Sequence, residues 1–214
     1  MVYVIGITGG IGAGKSTVTW YLKREYGARV VITDMVGAKM MEPGGATYDA
    51  IVNMFGESIL LSDGHINKVA LASVIYSNEE ARKKLNSVVH PEVVNYIKSV
   101  IESERLESIV DRDERKRIVV IESALLFEGG ANELCDEIWY VATAKDIRIA
   151  RLMNDRGYTR EKSQSIIASQ KSDEYYRDRC DRVIVNDAEE SDVYLAVDAA
   201  MKTINDKGKE ETGL

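Results

Sequence analysis

The stretch GITGGIGAGKST, residues 6–17, holds the densest group of residues able to bind phosphate. Residues 9–16 within it fit the pattern G-x-x-x-x-G-K-[ST]. Glycines allow successive backbone N–H groups to point into one concavity that holds phosphate oxygens. In this pattern the lysine reaches the β- and γ-phosphates and the hydroxyl binds Mg²⁺. We therefore predict a site for a nucleoside triphosphate and Mg²⁺ formed by Gly10, Gly12, Ala13, Gly14, Lys15, Ser16 and Thr17.

The segments on either side of this glycine run favour a phosphate loop over a flexible turn. VYVIGI, residues 2–7, is apolar and uncharged, as expected for a buried strand of a parallel sheet. STVTWYLKREYGA, residues 16–28, has apolar residues at helical spacing and a glycine suited to end a helix. A strand-to-helix turn also points the positive end of the new helix at the bound anion.

Two acidic residues follow other apolar segments that we predict to be buried strands. ARVVITD, residues 28–34, places Asp34 at a strand end, and IVVIE, residues 118–122, does the same for Glu122. Ligands of open α/β sheets bind at the carboxyl ends of the strands. We expect Glu122 to help hold Mg²⁺, with a helix cap or a surface acid as the alternative. Asp34 could accept a proton from a substrate hydroxyl, cap the next helix, or do both.

The remaining patterns predict an α/β fold with a five-stranded parallel sheet and helices on both faces. Further strands are expected at residues 137–143 and 181–187, and Pro91 is expected to start a long helix. The arginine-rich segment after residue 147 is expected to form one or two exposed helices. The predicted division is a nucleotide-binding core of residues 1–34, 115–144 and 181–214, a helical substrate-binding insertion of residues 35–114, and a lid of residues 145–180.

Composition narrows the functional classes. The 214 residues carry a formal net charge of −7, which disfavours a protein that coats nucleic acid. Two cysteines far apart in the sequence predict a reduced, cytoplasmic setting, and two histidines are too few for a zinc site. We find no segment typical of a membrane span or a leader peptide. A monomer and a small homo-oligomer are both compatible with the sequence.

Several motifs together resemble the dephospho-coenzyme A kinase family, over residues 2 to about 204. They are the opening GITGGIGAGKST, Asp34, and then EPG (residues 42–44), HP (90–91), LLFE (125–128) and DRVIVND (181–187). The phosphate loop alone is shared by many proteins, whereas the combination is much more specific. The resemblance implies transfer of the ATP γ-phosphate to the ribose 3′-hydroxyl of dephospho-CoA, the last step of CoA biosynthesis. It also implies that the helical insertion binds the CoA portion.

The resemblance implies roles for individual residues. Asp34 would be the base, Lys15 and Arg151 would contact phosphate, and Asn186 would lie near the adenine. The implied contacts to the acceptor come from Asp34, His90, Leu125 and Glu128. His90 is also suited to packing or capping at the long helix, and Glu128 to capping a helix.

Three positions depart from the family pattern. Ile32 replaces a second acid, Ala124 replaces a proline, and Asp155-Arg156 reverses the order of a lid pair. The reversed pair leaves open whether Arg151 or Arg156 contacts the phosphates.

Two other functions share some of these sequence features. A kinase of a nucleoside or another small metabolite would share the loop and lid, and would differ in the insertion. A GTP-binding switch would use D-x-x-G, which residues 34–37 match, but only 18 residues after Ser16. The guanine-reading N-K-x-D pattern is missing, because Asn67-Lys68 is followed by Val69-Ala70.

Overall fold

The computed structural model describes residues 1–76, 78–110 and 116–212. Its sheet has five parallel strands in the order β2-β3-β1-β4-β5, which confirms the predicted fold. The central strands are buried on both faces, as their unbroken apolar runs predicted. The strands are β1 (Val2–Thr8), β2 (Arg29–Ile32), β3 (Arg117–Glu122), β4 (Glu137–Ala142) and β5 (Arg182–Val185).

Helices connect the strands and cover the sheet. They are α1 (Lys15–Tyr26), α2 (Thr33–Met40), α3 (Tyr48–Phe55), α4 (Lys68–Tyr76), α5 (Glu79–Val110), α6 (Lys145–Arg156), α7 (Arg160–Ala168), α8 (Asp173–Arg177) and α9 (Glu190–Thr212). Helices α1 and α9 bury Val18, Leu22, Val193 and Val197 against one sheet face. Helix α5 covers the other face with Val93, Ile97, Val100 and Ile101.

The helices α2 to α5 follow β2, where a helical insertion was expected. A separate small core joins α3, α4 and the start of α5 through Ile51, Ile59, Ile66, Leu71 and Leu85. The domain limits themselves remain a prediction, and the expected boundary at residues 114–115 lies outside the described residues. The expectation of one or two helices after residue 147 was wrong, because three helices, α6 to α8, occupy residues 145–177. Gly157, at φ 63°, ends α6, and the hydroxyls of Thr159 and Ser172 cap α7 and α8.

Two local predictions were wrong. Pro91 does not start a helix but lies inside α5, where it supplies no backbone N–H to the helix. The apolar residues Leu85, Val89, Val93 and Ile97 keep a spacing of four across Pro91, so tertiary packing holds the helix together. Strand β2 also ends earlier than expected, at Ile32, so Asp34 lies in the first turn of helix α2 instead of at the end of a strand.

Candidate active site

The glycine loop connects the central strand β1 to helix α1. Gly12 and Gly14 have φ angles of 75° and 85°, a conformation that side chains other than glycine rarely adopt. A Cβ atom at Gly14 would also lie 2.0 Å from Nδ2 of Asn186. Helix α1 begins at Lys15, and the first N–H groups of a helix have no partner within it. The loop therefore presents backbone donors and a positive helix end to one cavity.

Lys15 is held against the main chain of this loop. Its Nζ donates to the carbonyl oxygens of Gly9 at 2.9 Å and Gly10 at 3.2 Å. Burial lowers the pKa of the Lys15 ammonium, and the carboxylates of Glu122 and Asp34 oppose that shift. The side chain is thus positioned between the loop and two acids at the sheet edge.

A cavity of about 530 Å³ opens in front of the loop. It brings together nine residues that the sequence predicted for the site: Gly12, Gly14, Lys15, Ser16, Thr17, Asp34, Glu122, Arg151 and Asn186. Asp155, Arg156 and Gln170 of the lid segment also line it. Gly10 and Ala13 belong to the same loop without lining this cavity. The volume, the loop and the three cations on the lining, Lys15, Arg151 and Arg156, suit a nucleoside triphosphate.

The acid at the end of β3 is suited to a hard cation. Thr19 Oγ1 donates to Glu122 Oε2 at 2.9 Å, which fixes the carboxylate beside Ser16 on the same cavity. In the described part of the chain, no group of three or more His, Cys, Asp or Glu residues could enclose a metal. Magnesium does not need such a cage, because it keeps several waters and binds substrate phosphates with one or two protein oxygens. The donor set of Ser16 and Glu122 therefore fits Mg²⁺.

The sequence did not identify Thr19 as a site residue. It lies three positions after Ser16, on the same side of α1, and this spacing was the available signal.

The two candidate lid arginines have different surroundings. Arg151 Nη2 donates to the backbone and side-chain oxygens of Asn186 at 3.1 and 3.2 Å. Asn186 Nδ2 in turn donates to the Ala13 carbonyl at 2.9 Å, so Arg151 and Asn186 together brace the loop. Arg156 lines the cavity and makes no hydrogen bond or ion pair with any residue that the structure describes.

A second cavity, of about 280 Å³, lies beside the first and has a largely apolar wall. Its lining includes Asp34, His90 and Leu125, together with Ser123, which the sequence did not identify. Glu128 is exposed and lines neither cavity. Burial of Tyr176 on α8 raises the pKa of that phenol, and the charge of Glu128 adds to the shift. The structure thus brings three of the four predicted acceptor contacts together and leaves Glu128 apart.

Asp34 belongs to the lining of both cavities. It lies in the first turn of α2, where a carboxylate is stabilised by the helix dipole. Its predicted alternative as the helix cap was wrong, because Ile32 occupies the cap position. No described residue donates a hydrogen bond to the Asp34 carboxylate or forms an ion pair with it. Asp34 therefore lies where the cavity at the phosphate loop meets the apolar cavity.

A phosphate loop with its own pocket, joined through one carboxylate to a second pocket, defines the class of P-loop kinases. A shikimate kinase from Acinetobacter baumannii in complex with shikimate shares the fold, with a TM-score of 0.53 at 15% identity, and the match covers 97% of this chain and 95% of that one. The family model for dephospho-CoA kinase matches residues 3–192, and the chain belongs to the dephospho-CoA kinase family.

Individual relatives agree with this assignment. A dephospho-CoA kinase from Geobacillus kaustophilus is 37% identical over 186 residues, which cover 87% of this chain and 89% of the relative. The solved structure of a dephospho-CoA kinase from Campylobacter jejuni has a TM-score of 0.64 at 22% identity, and the match covers 97% of this chain and all of that one. At that identity the structural likeness supports the fold alone.

Within residues 1–76, 78–110 and 116–212, no helix combines sufficient length with sufficient apolar character to span a membrane.

Proposed function

We propose that this chain transfers the γ-phosphate of ATP to the ribose 3′-hydroxyl of dephospho-CoA, giving CoA and ADP. The observation that carries this proposal is the position of Asp34, which lines both the cavity at the phosphate loop and the neighbouring apolar cavity. A phosphoryl donor in one cavity and a hydroxyl acceptor in the other would meet at this carboxylate.

The proposed step needs one proton acceptor and several positive charges. Asp34 accepts the hydroxyl proton as the oxygen forms its bond to the γ-phosphorus, and the bond from that phosphorus to the β-bridging oxygen breaks. Lys15 and the loop N–H groups stabilise the charge on the transferred group, and Arg151 braces the loop. Ser16 and Glu122 would hold Mg²⁺, which would neutralise part of the phosphate charge.

The apolar cavity takes part of the acceptor. His90 and Leu125 contact the substrate there, and Ser123 offers a hydroxyl in an otherwise apolar wall. Glu128 contacts a portion of the acceptor outside this cavity. In this scheme residues 35–114 form the acceptor-binding insertion, and residues 145–180 form the lid that excludes water from the reaction.

The tertiary contacts support a role for Asn186 close to the nucleotide. Its side chain is buried and lies against Ala13 and Gly14, on the same cavity wall as Lys15. The adenine of ATP is placed at this end of the cavity, past the loop. We assign the charge-stabilising contact on the γ-phosphate to Arg156, because Arg151 is engaged by Asn186.

A coupled assay of ADP release with ATP, Mg²⁺ and dephospho-CoA tests the proposal. Adenosine, AMP and pantothenate, tested in parallel, represent the alternative acceptors of a small-metabolite kinase. We expect ADP release to require dephospho-CoA and CoA to appear in equal amount. ADP release stimulated only by another acceptor would keep the assignment as a kinase and overturn the assignment of dephospho-CoA as the substrate. GTP hydrolysis with no acceptor would favour a GTP-binding switch.

The setting of the enzyme remains part of the proposal. Two cysteines without a disulfide, both with pKa values raised to about 12 by burial, suit a reducing cytoplasm. We propose a monomer or small homo-oligomer that binds neither nucleic acid nor membrane. Sedimentation velocity at several concentrations, with and without DNA, tests the oligomeric state and the absence of a nucleic-acid complex.

A further inference from the structure

Gly10 is a glycine that neither the phosphate-loop pattern nor its own backbone conformation requires. The pattern accepts any residue at this position, and Gly10 is not among the glycines with positive φ. A Cβ atom at Gly10 would lie 2.2 Å from Nη2 of Arg148 and 2.8 Å from Oε1 of Gln170. Two side chains from the lid segment therefore occupy the space that a side chain at residue 10 would need.

These two side chains grip the main chain of the next residue. Arg148 Nε donates to the carbonyl oxygen of Ile11 at 2.9 Å, and Ile11 N donates to Gln170 Oε1 at 3.1 Å. Arg148 Nη2 donates to the same Gln170 oxygen at 2.5 Å. Both neighbours of the Gln170 amide are donors, which assigns its oxygen to this side. One amide oxygen thus joins the phosphate loop to a guanidinium on α6.

The acceptors of the Arg148 guanidinium in this contact are electrically neutral. Burial lowers the pKa of Arg148, and within the described chain no carboxylate forms an ion pair with it. Asp173 favours this charge electrostatically without forming an ion pair, so the Arg148 charge is only partly compensated beside the loop. A glutamate at position 170 would keep the acceptor and neutralise that charge. Gln170 itself lines the cavity at the loop.

We propose that Gln170 is a positioning residue that clamps the phosphate loop to the lid through Ile11 and Arg148, and that its neutrality keeps the Arg148 charge available to nucleotide phosphates. The inference rests on the proposed use of the cavity for ATP, and it adds a residue outside the loop that sets the affinity for the nucleotide. Gln170 acts through Arg148 and Ile11 and takes no part in the chemical step.

Binding measurements separate this proposal from the identity of the acceptor. Calorimetry with a non-hydrolysable ATP analogue and Mg²⁺ would compare the parent with Gln170→Met, which keeps the volume and removes the acceptor. We expect the Kd for the ATP analogue to rise about 10-fold, because the loss of a hydrogen bond to a charged group typically has an effect of this size. Gln164→Met, on an exposed position of α7, is the matched control and should bind as the parent does.

Two further readouts distinguish positioning from a general structural role. Gln170→Glu should weaken the ATP analogue more than it weakens AMP, because the added charge faces the phosphates. In the kinase assay Gln170→Met should raise the KM for ATP and leave the KM for the acceptor within about twofold. An equal rise in the KM for ATP and in the KM for the acceptor, together with a lower melting temperature, would overturn the proposal. An unchanged Kd for the ATP analogue in either Gln170 variant would overturn it as well.

Gly10→Ala tests the clamp without altering either lid side chain. The added methyl group should displace Arg148 and Gln170 and raise the Kd for the ATP analogue by a similar factor. Because both changes break the same contact, the double variant Gly10→Ala/Gln170→Met should bind scarcely more weakly than either single variant. Multiplying effects in the double variant would contradict a shared clamp. A failure of dephospho-CoA as acceptor would leave these binding results unaffected.

Discussion

Asp34 is the residue on which the two cavities meet. The sequence predicted it at the end of a strand, whereas it is the second residue of α2. The change does not remove it from the site, because the first turn of α2 starts at the carboxyl edge of the sheet. At the scale of single residues, Asp34 and Lys15 therefore carry the sharpest tests of the proposed reaction.

Replacing the carboxylate tests its role as a base. We expect Asp34→Asn to bind ATP nearly as well as the parent and to lower turnover by about 10²-fold or more, because asparagine keeps the shape and cannot take the proton. Steady-state kinetics and calorimetry give both values. Asp49→Asn, an exposed acid in the first turn of α3, is the control. Near-normal turnover of Asp34→Asn would remove Asp34 from the mechanism.

Replacing the loop lysine tests the phosphate cradle. We expect Lys15→Ala to lower turnover at least 10²-fold, because its ammonium stabilises charge on the transferred group. It should also weaken binding of the ATP analogue. Lys23→Ala changes an exposed lysine two turns further along the same helix and should leave both unchanged. A fully active Lys15→Ala enzyme would contradict the assignment of the loop itself.

At the scale of elements, a buried acid ties together three strands beneath the site. Glu137 on β4 accepts hydrogen bonds from Arg182 of β5 at 2.6 Å, Trp139 of β4 at 2.8 Å and Tyr3 of β1 at 3.2 Å. Strand β1 leads into the phosphate loop, and β5 leads to Asn186. The register of these strands therefore sets the distance between the loop and Asn186.

The same acid makes a prediction about pH. Burial acts to raise the pKa of Glu137, but the hydrogen bonds from Arg182, Trp139 and Tyr3 outweigh it and lower the pKa below the ordinary 4.5. Because the pKa is lower in the folded state, ionised Glu137 stabilises the fold at any pH above its unfolded-state pKa. This stabilisation is lost as the pH falls below about 4.5 and through the folded-state pKa.

We therefore expect Glu137→Gln to lower the free energy of unfolding by about 1–3 kcal/mol at pH 7. The gap between variant and parent should narrow below pH 4.5, as measured by urea unfolding at several pH values. Glu79→Gln removes an exposed pair with Lys83 and should leave the free energy of unfolding nearly unchanged. A gap that stays constant down to acid pH would contradict the role of the Glu137 charge.

At the scale of the whole molecule, charge is distributed unevenly. The chain carries a net charge of −7, yet Lys15, Arg148, Arg151 and Arg156 converge on the phosphate loop and its cavity. A local cluster of cations in an acidic protein favours a small anion over an extended polyanion. The carboxylates of Asp34, Glu122 and Asp155 line the same cavity, so these cations lie among acids and do not form a purely positive patch.

Ligand binding should therefore stabilise the whole fold. We expect a non-hydrolysable ATP analogue with Mg²⁺, at about 100 times its Kd, to add about 2.7 kcal/mol of stability, which is about 5–10 °C for a chain of this size. Differential scanning fluorimetry measures the shift. The GTP analogue at the same concentration should give a smaller shift, and the Lys15→Ala variant should respond weakly to either. A larger shift with GTP would favour a guanine-specific site.

The sequence by itself determined the phosphate loop, the five strands and the family. These features are encoded by contiguous residues: glycines at a fixed spacing before Lys15, and apolar runs that satisfy their backbone groups only in a buried parallel sheet. Its errors fell where packing overrides local preference. The continuous helix α5 passes Pro91 because its apolar stripe is buried along the sheet.

Only the tertiary structure decided which distant residues meet. Asp34 joins two cavities, Asn186 reaches Ala13, and Gln170 reaches Ile11 across 159 positions of the sequence. No local pattern encodes such contacts, because the sequence around a single polar residue looks the same whether or not that residue contacts a distant partner. The meeting is set by the parallel register of the strands and by the helices packed on them, which bring the chain segments to one edge of the sheet.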